Sequence, residues 1–281
     1  NSGTINTSAS NIKGAVTNNN TVNLSGGTLS KAISGSGTTN ITGIVSSNSA
    51  ISQAISIASA GDLTISASNV GGNVTNAGDL ILNGGTLTKA VTGAGTTSIT
   101  GAVTANSAIS QTISISSSGD LTANAGNIGG AVTNAGDLIL TGGTLSKSVS
   151  GAGLTTITGN TTNSAGINQG VKVNSGITLT NNAALGSASG SVTNAGTINS
   201  SADNIKGTVS NTGSLNLSGG TLSKAVSGSG KTTITGNTTN SGGINQGVTV
   251  NSGVTLTNNA ALGSDSGTIT NSGTINTSAS N

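Results

Sequence analysis

Residues 62–78 read DLTISASNVGGNVTNAG, and residues 79–95, which follow at once, read DLILNGGTLTKAVTGAG. Laid over each other at a shift of 17, Leu63 meets Leu80, Ile65 meets Leu82, Val70 meets Leu87 and Val74 meets Val91. Inside each segment the apolar residues alternate with polar ones. Asp79-Leu80-Ile81-Leu82 sends Leu80 and Leu82 to one face, and Ile113-Ser114-Ile115 does the same with its two isoleucines. Alternation over about four residues is the signature of a strand with one buried face. No window carries apolar residues at three-and-four spacing over ten residues, and Gly, Ser, Asn and Thr are poor helix formers. Between the strands stand Gly-Gly, Asn-Ala-Gly and Gly-Ala-Gly, which turn a chain sharply.

Working outward, one block recurs four times. It reads GGTLSKAISGSGTTNITG from Gly26, GGTLTKAVTGAGTTSITG from Gly84, GGTLSKSVSGAGLTTITG from Gly142 and GGTLSKAVSGSGKTTITG from Gly219. The first two intervals between these starts are equal, and the third is longer. Three units in the shorter interval and four in the longer both give a coil of about 19 residues, by the repeat arithmetic of solenoids. Residues 1–11 and 271–281 are both NSGTINTSASN, a shift of 270 residues, or about 14 such coils. The expectation is an all-β, single-stranded, right-handed parallel β-helix. It would run as one continuous β-solenoid over 1–281, one super-repeat and the start of the next, within a longer repetitive protein. A lone coil cannot bury its apolar side, whereas stacked coils build a continuous core and satisfy each other's backbone groups.

Composition agrees. The 281 residues include no Pro, Cys, Met, His or aromatic residue, and 46 are Gly. Proline would delete a ladder hydrogen bond, and aromatic rings would overfill a core a few side chains wide. Disordered chains are poor in β-branched residues and carry high net charge. Here Val, Ile and Thr run throughout and the net charge is +2. Without Cys there is neither a disulfide framework nor a thiolate metal site. No apolar run is long enough for a membrane span, which takes about 18 residues or more. The small basic excess is too dispersed to address nucleic acid.

Chemistry is hard to find in these residues. General acid–base work draws on a tuned His, Glu, Asp, Lys, Tyr or Cys beside a partner, and this chain offers only Asp and Lys. Asp62 and Asp79 are expected to stack at strand starts, as are Asp120 and Asp137. Two carboxylates fall short of a Ca²⁺ shell, so they read as solvated corners and no metal or other cofactor is expected. Lys31, Lys89, Lys147 and Lys224 recur at one site of the repeat, with Lys13 and Lys206 one coil before two of them. These six form a candidate surface-charge stripe for an anionic glycan or lipid, against the plainer reading of solubility and strand-edge protection. Gln53, Gln111, Gln169 and Gln246 recur in ISQ or INQ and are expected to bond a bulged corner. A Thr-x-Thr ice-binding face would need a threonine pair on nearly every coil. Pairs such as Thr96-Thr97 and Thr155-Thr156 break that pattern.

The runs NAGTINSSADNIKGTVSNTGSLNLSGGTL and NSGTINTSASN resemble the passenger regions of bacterial autotransporters and related giant repeat adhesins, over the whole chain. That resemblance implies a right-handed parallel β-helix on a bacterial cell surface, with no shared catalytic residue. Two functions follow as expectations: an extracellular stalk or filament shaft, or an adhesin module binding glycans or proteins on a side face. The expected partners are neighbouring repeats of the same protein, end to end or laterally, and a host or cell-surface glycan. No nucleic acid and no membrane span are expected.

Overall fold

The structure is a computed structural model that describes residues 1–278. The last three residues of the second NSGTINTSASN lie outside the described residues. Two compact units divide the chain, Asn1–Leu138 and Ile139–Asn281. Each is a stack of parallel β-coils, and the described residues contain no α-helix.

In the first unit one inner column can be climbed rung by rung. Ile5 lies beside Val22, then come Thr39, Ile55, Val74 and Val91. Isolated bridges carry the column on to Ile109 and Ile128. That makes eight rungs. The shortest step runs from Thr39 to Ile55, and the longest run from Ile55 to Val74 and from Ile109 to Ile128. The second unit also holds eight. Its column runs Leu145, Asn163, Asn181, Ser200, Leu217, Ile234, Val250 and Asn271. Of the four matches expected from the 17-residue shift, Leu63–Leu80, Ile65–Leu82 and Val74–Val91 are register partners.

The coil is therefore shorter than expected, about 17 residues rather than about 19, and the coils number about 16 rather than about 14. The reason lies in how repeat and coil fit together. Each coil carries three strand positions, hence three columns. From Leu29 the ladder climbs through Ser47 and Ile65 to Leu82, three rungs up. The next GGTL motif then places Leu87 on the following strand, in a column with Ala105 and Ala123. The interval from Gly26 to Gly84 thus fills three coils and one third of another. In the second unit Leu145 rises four rungs to Leu217, and Leu222 lies on the next strand, Gly220–Leu222. The interval from Gly142 to Gly219 therefore fills four coils and a third. Dividing by whole numbers stretches the coil. Segment 96–119 holds four strand positions, Thr96–Ile99, Ala102–Ala105, the bridge at Ile109 and Thr112–Ile115. Segment 177–196 has a longer corner, where Ser187 and Gly190 bond each other's backbones.

The interior is aliphatic. Leu63, Leu80, Ile99 and Ile113 are fully buried in the first unit, as are Leu179, Ile198, Leu215 and Val248 in the second. Alternation does the sorting, because inward residues sit two apart and the residues between them meet solvent. Where asparagine takes an inward position its amide is satisfied along the stack. Asn163 Nδ2 donates to Asn181 Oδ1 at 2.7 Å, and Asn181 Nδ2 donates to Ser200 Oγ at 2.9 Å. On an outer face Asn40 donates to Asn23 Oδ1 at 2.8 Å, and Asn23 donates onward to Asn6.

Four 3₁₀ turns interrupt the strands, at Ala9–Asn11, Ala67–Asn69, Ala125–Asn127 and Ala202–Asn204. Each buries its alanine. Three lie beneath a GGTL strand of their own unit, with Ala67 N–H donating to Gly84 O at 2.7 Å and equivalents at Ala9 and Ala202. The second glycine of the motif is required there. Gly85 has φ +91°, and a Cβ on it would stand 2.5 Å from Ser68 Oγ. Only glycine meets both conditions without strain.

Candidate functional site

The lysines follow the column geometry. Lys13 leaves the first 3₁₀ turn and Lys31 leaves the strand Gly27–Leu29 stacked on it; Thr28 N–H donates to Ser10 Oγ at 2.9 Å between the two. Lys206 and Lys224 stand in the same relation, and there Thr221 N–H donates to Asp203 Oδ1 at 2.9 Å. Each pair shares a corner on adjacent rungs. Lys89, however, follows Leu87 and so stands one column round from Lys31. Lys224 is likewise one column round from Lys147 in the second unit. Within either unit the lysines form no single row, because the repeat that places them advances by a third of a coil. Two adjacent ammonium groups at a solvated corner attract an anion only weakly.

Asp62 and Asp79 are register partners, as the 17-residue shift requires. Ile44 lies on the rung below and Thr96 on the rung above. The strands carrying Asp120 and Asp137 also pair, above Ala102. Among the described residues no three His, Cys, Asp or Glu side chains come together. Two carboxylates at a corner supply a minority of the six to eight oxygens that Ca²⁺ takes. Asp203 has a structural task, since its carboxylate caps the Thr221 strand edge in the place that Ser10 and Ser68 fill elsewhere.

The four glutamines do not hold corners. All are buried, turned into the coil interior toward threonine and asparagine.

A pair of clefts in the second unit escaped the sequence reading. Strand Val149–Ile157 pairs with Ile167–Val173, but Ser150 to Leu154 face only Asn168 to Gly170, so the chain bows outward at Gly151-Ala152-Gly153. Together with Ser187 and Ser189 this bow walls a cleft of about 310 Å³. One repeat further on, Gly228-Ser229-Gly230 bows in the same way and walls a cleft of about 430 Å³ with Ser264 and Ser266. The two differ where Lys231 stands in place of Leu154 and lines the larger cleft. Both are glycine-floored and hydroxyl-walled, with space for one small polar molecule such as a sugar ring. The signal in the sequence is five residues, Ser150 to Leu154 or Ser227 to Lys231, set against three within the paired strands.

No helix among the described residues is long and apolar enough to cross a membrane. No protein-family model, no curated protein and no solved structure matches the chain, so its classification ends at the observed architecture, a parallel β-solenoid built in two eight-coil units.

Proposed function

We propose that the chain is a structural repeat region of a bacterial surface protein, exported from the cell, whose stacked coils form a stiff shaft, stalk or filament. One observation supports this above the others. In each unit eight coils stack in register on a largely aliphatic interior, and the outward positions are filled mainly by Thr, Ser and Asn. Every rung is tied to the next by a parallel ladder as well as by burial. Bending such a stack opens hydrogen bonds along one side, so it resists deformation at little cost in sequence complexity. On this reading the protein is not an enzyme and uses no cofactor. Its partners are further repeats of the same protein, met end to end or side by side.

A second reading, an adhesin module for glycans, is favoured by the paired clefts and the corner lysines. Electron microscopy of several super-repeats joined in tandem separates shaft from globule: thin rods of uniform width are expected, and compact particles would refute the shaft. The same material on a glycan array decides the second reading. Binding no stronger than that of a solenoid with scrambled outer residues removes it.

A further inference from the structure

Gln53, Gln111, Gln169 and Gln246 each stand two residues after a core isoleucine and each is buried. Three of them reach back to a fully buried threonine of the preceding coil. Gln53 Nε2 donates to Thr39 Oγ1 at 2.7 Å, Gln169 to Thr155 at 2.8 Å and Gln246 to Thr232 at 2.6 Å. Thr97 holds the corresponding place before Gln111, but there the bond is not made: Thr97 Oγ1 and Gln111 Nε2 are both buried without a hydrogen-bond partner. The carbonyl ends of Gln53 and Gln111 accept from Asn18 and Asn76, both at 3.3 Å. Three of these threonines stand between aliphatic residues of the adjacent rungs. Thr39 lies between Val22 and Ile55, Thr97 between Leu80 and Ile113, and Thr232 between Leu215 and Val248.

A chain of near-identical coils has a problem that ordinary folds lack. A coil laid on the wrong rung keeps almost all of its apolar burial, because Leu, Ile and Val stand at every level, so burial alone specifies the register weakly. The Thr–Gln pair breaks this degeneracy. Slipped by one rung, the Gln246 carboxamide would face Leu215 and would lose its hydroxyl partner in the core, a heavily disfavoured state. We infer that the Thr–Gln pair is a register key, fixing which coil stacks on which, with its hydrogen bond made in three of the four repeats. A single buried asparagine sets the register of a coiled coil by the same physics.

Cysteine trapping in the full chain tests this. Native register sets Thr249 beside Thr233, with Asn216 on the rung below Thr233. Asn216 and Thr249 are therefore two rungs apart, about 9.6 Å, beyond disulfide reach. Oxidised Asn216→Cys/Thr249→Cys should stay open while Thr233→Cys/Thr249→Cys closes. Adding Thr232→Val/Gln246→Leu, which removes the key and leaves no orphaned group, should raise the 216–249 cross-link about tenfold or more. Leu215→Thr/Thr232→Val moves the hydroxyl one rung down with Gln246 in place, and should give the same off-register product. If the 216–249 pair stays open in both backgrounds while the 233–249 pair closes fully, the inference is wrong. Loss of the β-sheet circular dichroism in Thr232→Val/Gln246→Leu would also overturn it, since the pair would then serve packing and not register.

Discussion

Leu80→Asp should unfold the first unit. Leu80 is fully buried between Leu63 and Thr97 on adjacent rungs. An aspartate there loses the leucine's burial and places a carboxylate in the column with no cation to meet it. An unpaired charge in an apolar interior costs several kcal/mol even after relaxation. Lost aliphatic contact adds about 2–5 kcal/mol, as in large-to-small core substitutions. That total is comparable with the whole stability of a typical domain, about 5–15 kcal/mol. The neighbouring change Ile81→Asp is the control. Ile81 points outward on the same strand and is half-buried, so its effect should stay near about 1 kcal/mol. Thermal melts of the two variants, followed by circular dichroism, measure the contrast. Equal losses at residues 80 and 81 would mean that the alternation does not divide core from solvent.

Thr64→Pro carries the second large effect, and it isolates the ladder from the core. Thr64 points outward from the strand Asp62–Ile65, with Ser46 as register partner below and Ile81 above. Proline removes a ladder N–H while leaving the inward residues Leu63 and Ile65 unchanged. The lost bond, with φ fixed by the ring, should cost about 3 kcal/mol. Thr64→Ala keeps the backbone and should cost under about 1 kcal/mol. Hydrogen exchange should show lost protection on the rungs holding Ser46 and Ile81 in the proline variant alone. A proline variant as stable as the alanine variant would mean that coil-to-coil hydrogen bonding contributes little.

Much of this architecture could be read from residues 62–95. Leu63 over Leu80 and Val74 over Val91 follow from a 17-residue shift, because in a parallel stack the register is the repeat. The length of the coil was harder to read. The eye fixes on GGTL, and the distance from one GGTL to the next invites division into whole coils. It does not divide so, since nothing in the physics of stacking requires a sequence repeat to close on the column where it began. Leu29 and Leu87 are equal in sequence and sit in different columns. The same fraction scatters the lysines, whose identical surroundings suggest an alignment that the fold does not make.

The glutamines show a different limit. A carboxamide among Ile, Ser and Asn reads as a corner residue, because corners usually satisfy polar groups. Its inward turn depends on Thr39 or Thr232 being presented from the coil below, a contact made by the fold. The clefts were hidden for a related reason. Gly-Ala-Gly and Gly-Ser-Gly announce flexibility, but the outward bow comes from pairing five residues against three.

Residues one coil apart lie on successive rungs of one stack, and all else depends on that arrangement. Paired nitroxide labels along the outer row Asn6, Asn23, Asn40, Ser56, Thr75 and Thr92 test it most directly. With one label at Asn6, electron–electron distances should grow by about 4.8 Å per rung, to about 14, 19 and 24 Å for Ser56, Thr75 and Thr92, plus a constant linker offset. Broad distributions, or distances that do not rise in that order, would contradict the stack.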